Sequence, residues 1–198
     1  MKENNNSYIR FFNGALGLEN ADIFVNNQLV VTSLAYGTFS PFHQATAGVY
    51  SIEVHIMSEE TNIVFSDLVS VMEGISYTIA LAGSADGAAF AVIPLDLQKD
   101  IPRPNLRFVN LIPYDTVLDV DISNRQVVSG LLFKEYSEDI QIQPGTYPVQ
   151  VFDSKNQKIL EGSIFIQEGK VYLAMIVGNL EDGAYKPQII LGEDMPLA

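Results

Sequence analysis

The chain has 198 residues, 47% of them apolar, with no cysteine, two histidines and a formal net charge of −13. The apolar share is that of an ordinary globular protein and excludes a disordered chain, while the missing cysteines and scarce histidines exclude disulfides, thiolate sites and imidazole-rich metal sites. The acidity argues against nucleic acid, whose phosphates need a basic stripe, and no apolar run reaches the ~18 residues of a membrane-spanning helix.

Met1 to Ser7 are polar and carry no apolar core of a signal peptide, which predicts a soluble product released into the cytoplasm. Arg10-Phe11-Phe12-Asn13 opens the first strand. Asp22-Ile23-Phe24-Val25 alternates with period two and ends in the turn signal Asn26-Asn27. The segment Leu34–Gln44 crowds Tyr36, Phe39, Phe42 and His43 around Pro41. Aromatic side chains in a loop can stack on a sugar or anchor a partner, and the plainer reading is packing within the loop. After Ala47-Gly48, the run Tyr50–Ile56 alternates again and places His55 with Glu53 and Ser51 on a solvent face. Further turn signals stand at Glu73-Gly74 and Asp86-Gly87. Pro102 and Pro104 mark residues 99–104 as an extended, semi-rigid linker that sets the modules end to end.

The second half repeats the first. Arg107-Phe108-Val109-Asn110 restates the opening strand, and the same spacing carries Asp22 onto Asp119, Asn27 onto Asn124, Leu34 onto Leu131, Tyr36 onto Phe133, Ser40 onto Ser137 and Tyr50 onto Tyr147. After small deletions Gly74 and Tyr77 match Gly169 and Tyr172, and Asp86-Gly87-Ala88 matches Asp182-Gly183-Ala184. So many separated matches at one spacing are a tandem duplication. Short strand runs with turns at intervals of about ten residues predict two antiparallel, immunoglobulin-like β-sandwiches of about seven strands each, over 1–98 and 105–198. In the second copy Leu118, Val120 and Ile122 alternate with Asp119, Asp121 and Ser123. Oxygen ligands so placed could contribute to a Ca²⁺ site; an ordinary hydrophilic strand face is the plainer reading.

The opening Arg-Phe-x-Asn, the run Asp-Ile-Phe-Val-Asn-Asn over 22–27, Leu-Ala-Tyr-Gly-Thr over 34–38 and Ala47-Gly48-Val49-Tyr50 resemble the bacterial domain-of-unknown-function family numbered 4397. The second copy keeps Leu131, Phe133 and Pro144-Gly145-Thr146-Tyr147 but has Phe133-Lys134 where the first has Tyr36-Gly37. The resemblance implies β-sandwich modules, often in tandem and often on secreted or cell-surface proteins, and it brings no catalytic residues. The polar start of the chain departs from that extracellular setting.

Catalytic patterns do not emerge. Gly83-Ser84-Ala85-Asp86-Gly87 has the wrong spacing for a nucleophile elbow, and metalloprotease and phosphate-loop motifs do not occur. The chain is therefore read as a non-enzyme that needs no cofactor. Charge is uneven between the copies: residues 1–100 carry three basic against eleven acidic side chains, and residues 101–198 carry eight against thirteen. No Lys or Arg stands between Arg10 and Lys99. The expected function is a structural module that self-associates head to tail in a bacterial surface layer, spore coat or fibre. The alternative is a carbohydrate- or surface-ligand-binding module that uses the loop aromatics.

Overall fold

The computed structural model describes residues 6–57, 61–85, 87–97, 104–113, 116–180 and 185–195. It divides into two compact units, residues 1–100 and 101–195. The linker expected at 99–104 lies outside the described residues except for Pro104, as do Asp86 and the turn at Asp182-Gly183-Ala184.

In the first unit the alternating run forms β2 (Asn20–Val25), and the paired asparagines turn it into β3 (Gln28–Ala35). Asn26 and Asn27 take φ of 49° and 64°, the left-handed pair that a two-residue hairpin turn requires and that asparagine tolerates. With β5 (Gly48–Met57) and β6 (Thr61–Val71) these strands build a sheet in the order β3-β2-β5-β6. β1 (Ser7–Asn13), β4 (His43–Ala45), β7 (Ile75–Ala82) and β8 (Ala89–Asp96) build the other, in the order β4-β1-β7-β8. Ile9, Phe11, Ile79 and Leu81 from one sheet meet Ala21, Ile23, Ile52, Val54 and Val69 from the other, so the core lies between two facing sheets.

The second unit repeats this plan. β9 (Asn105–Asn110), β12 (Ile140–Gln141), β15 (Val171–Val177) and β16 (Gln188–Glu193) form one sheet in the order β12-β9-β15-β16. β10 (Val117–Ile122), β11 (Arg125–Leu132), β13 (Gly145–Phe152) and β14 (Lys158–Ile166) form the other in the order β11-β10-β13-β14. Leu106, Phe108, Ala174 and Ile176 stand where Ile9, Phe11, Ile79 and Leu81 stand in the first unit, and close on Leu118, Val120, Val149 and Val151.

The chain is all-β, in two tandem sandwich-like units, as the sequence predicts. The finer topology differs in two respects. Among the described residues the eight strands of each unit split four and four, with the first, fourth, seventh and eighth together, whereas an immunoglobulin sandwich groups its strands ABED and CFG. One pairing in each unit is parallel, β1 with β7 and β9 with β15. A parallel neighbour needs a long crossover, and the intervening chain supplies it by building the opposite sheet on the way. Side-chain alternation is the same in parallel and antiparallel strands, so the sequence pattern carries no signal for direction.

Candidate functional site

The opening motif is the joint that holds each sandwich closed. Asn13 is fully buried. Its amide donates to the carbonyls of Leu18 at 2.6 Å and Leu34 at 3.0 Å, and its Oδ1 accepts from Ala15 N–H at 3.2 Å. Asn110 donates in the same way to Thr116 at 3.1 Å and Leu131 at 3.0 Å, and accepts from Ile112 N–H. Leu34 and Leu131 belong to the opposite sheet, so one buried amide ties the two layers in each unit. Ser40 Oγ accepts from Phe11 N–H at 2.9 Å, and Ser137 Oγ from Phe108 N–H at 3.0 Å. The positions that repeat between the copies are the ones that make these bonds.

The loop aromatics gather around a residue the sequence reading did not single out. Arg10 is 4% exposed, its Nε donates to Thr78 Oγ1 at 2.8 Å, and its guanidinium carbon lies 4.3 Å from the Phe39 ring centre and 4.5 Å from that of Phe42. Phe39 also packs on Phe12, centroids 4.5 Å apart. Cation–π contacts of this kind gain strength where they are desolvated. The second unit places a carboxylate where the first has the Phe42 ring. Arg107 Nη2 donates to Asp194 Oδ2 at 2.7 Å, Nε stands 3.7 Å from Asp139, and the Tyr136 ring lies 5.5 Å away. Asp139 thus replaces Phe42 in the repeat. The signal in the sequence was an arginine recurring inside two otherwise apolar strands, Arg-Phe-Phe-Asn and Arg-Phe-Val-Asn.

Tyr36 and His43 are half-buried. Tyr36 follows β3 and its N–H donates to Glu19 carbonyl at 3.0 Å. His43 begins β4 and lines a 90 Å³ cleft with Ile9, Phe11, Val30, Ala45 and Tyr50, where its Nε2 is buried without a hydrogen-bond partner. The corresponding cleft of the second unit, 290 Å³, is lined by Ile122, Arg125, Val127, Ile140, Ile142 and Tyr147. Ile140 stands there in the place of His43. Of the four loop residues, then, Phe39 and Phe42 meet on Arg10, while His43 faces a separate cleft.

Asp119, Asp121 and Ser123 do not share one strand face. β10 ends at Ile122, and Ser123, with φ of 52°, belongs to the turn. Asp119 Oδ1 accepts from Gly130 N–H at 2.8 Å, and Asp22 Oδ1 accepts from Ser33 N–H at 2.7 Å at the repeat-equivalent position. Ser33 and Gly130 both take positive φ where the ladder shifts register, so these aspartates fasten β-bulges. Among the described residues no three His, Asp or Glu side chains converge as a metal site would require. His55 lies on the outer face of its sheet as alternation predicts, but it is only 9% exposed. The Phe24 ring packs against it at 4.4 Å and Glu53 Oε2 is 3.1 Å from its Nε2. The neighbouring strand covers what alternation alone would leave open.

The family model for a domain of unknown function, DUF4397, matches the chain twice, over residues 7–103 and 104–198. The chain belongs to that family, as two tandem copies. None of the curated proteins compared with it matches.

Proposed function

From two DUF4397 modules in tandem, we propose a non-catalytic assembly protein whose copies associate with one another in a surface layer, coat or fibre. The observation that carries the reading is a recurring outward apolar position at the edge of one sheet. Val49 faces Ser70 across β5 and β6, and the equivalent pair across β13 and β14 is Thr146 with Phe165. Val49 is 62% exposed and Phe165 58%, with Leu68 beside the first at 66%. Single exposed apolar side chains are common on monomers; here each copy keeps one at the same strand pair, though on different strands. Uneven charge supports a head-to-tail order, since unlike local patches guide encounter and orientation more than they add affinity.

Light scattering across a concentration series should show association at low salt, growing more slowly as salt is added, with a screening length of about 10 Å at 0.1 M. Leu68→Lys with Phe165→Lys should weaken it. A chain that stays monomeric at every concentration and salt would sink this reading. The alternative, carbohydrate binding by the loop aromatics, then becomes the better one, although Arg10 already occupies ring faces of Phe39 and Phe42 that a sugar would need.

A further inference from the structure

The two modules treat the same sheet edge differently. β6 and β14 stand at the ends of their sheets, next to β5 and β13. Leu68 of β6 lies opposite Ser51. The backbone of Ser51 points the other way, its N–H donating to Asn26 Oδ1 at 2.9 Å and its carbonyl accepting from Asn26 N–H at 2.8 Å. In such a pair the outer residue directs its N–H and C=O to the open edge. The Leu68 N–H is closed off there, donating to Oδ1 of the preceding Asp67 at 2.7 Å. A charged side chain that caps its own edge guards against strand addition.

The equivalent of Leu68 is Ser163, opposite Pro148, whose carbonyl accepts from Ser123 N–H at 2.9 Å. The equivalent of Asp67 is Gly162, opposite Val149 as Asp67 is opposite Ile52. Glycine has no side chain with which to cap the edge. From Leu160 to Ile166 the strand carries no proline and no register shift.

We propose that β14 is a self-pairing edge, at which two chains join antiparallel about a twofold axis at Ser163 and extend β11-β10-β13-β14 into one continuous sheet. A twofold contact must be self-complementary, and this register is. Glu161 falls beside Phe165 of the second copy and Leu160 beside its Ile166, so within the regular stretch of β14 no like charges lie opposite each other. Main-chain hydrogen bonds supply the affinity of an added strand. The proposal rests on the self-association reading and adds to it: the dimer, joined by second modules, is the unit that the charge-guided contact then links.

Sedimentation equilibrium of the full chain at high salt separates the two contacts, because screening weakens attraction between surface charges and leaves backbone pairing in place. Wild-type chains should remain dimeric. Gly162→Asp, which installs the guard of the first module, should raise the dimer dissociation constant about tenfold or more, and Gly162→Ala should not. Both variants fit the fold, since a Cβ at Gly162 meets no atom within 4 Å. A Gly162→Asp chain that dimerises like wild type, or a Gly162→Ala chain that loses pairing equally, overturns the β14 contact while leaving self-association intact. A wild-type monomer at high salt that still assembles at low salt does the same, and a monomer at every salt removes both readings.

Discussion

One repeat position holds an arginine in two environments, and that difference predicts how each module responds to substitution. Arg10 lies against Phe39 and Phe42, whereas Arg107 stands near Asp139, the equivalent of Phe42. Phe42→Ala should lower the stability of the first module by about 1–2 kcal/mol, from the lost cation–π contact and part of the ring's burial. Phe42→Asp should cost less than Phe42→Ala, because it supplies the carboxylate that the second module already uses. Urea midpoints of the two variants test this, and an alanine variant indistinguishable from wild type would return Phe42 to the pool of available ligand-binding aromatics. The sequence made the repeat of Arg-Phe-x-Asn plain but not the work of its members. Asn13 reaches Leu34 and Arg10 reaches Thr78, partners that only the folded topology brings near.

Strands and hairpins were the most legible elements, because period-two alternation and paired turn residues act over a few neighbouring positions. The direction of β1 beside β7 was hidden, and so were the bulges. A bulge displaces one residue without disturbing composition, so Asp119 reads as part of an ordinary hydrophilic strand face, or at most as one of three outward oxygen ligands, and its hold on Gly130 N–H at 2.8 Å stays hidden. The short β4 and β12, three and two residues long, were also beyond alternation, which needs four or more residues to register. Asp119→Ala should lower stability by about 1–2 kcal/mol by freeing a bulge N–H, and Asp119→Asn, which keeps an acceptor, should cost less. Melting with and without Ca²⁺ distinguishes this role from a metal ligand: the wild-type temperature should not change on adding the ion. A Ca²⁺-dependent rise that disappears in Asp119→Asn would restore the ligand assignment.

At the scale of the whole chain the duplication determines what can be separated. Every named strand pairing falls inside one unit, six in each, and each unit closes its own core between its own two sheets. The buried asparagine that ties those sheets finds its acceptors within its own module, and the serine hydroxyl that accepts from the opening strand takes that N–H from its own module too. Sheet hydrogen bonding, core and layer joint are therefore all supplied by about half the chain, a length at which single β domains commonly fold with stabilities of about 5–10 kcal/mol. Residues 1–100 and 101–198, expressed separately, should each give a β-type circular dichroism spectrum and a cooperative urea transition. The slope of each transition should be smaller than that expected for a 198-residue cooperative unit, because it scales with the surface exposed on unfolding. If neither half folds alone, strands must be completed by the other copy and the duplication is one domain rather than two.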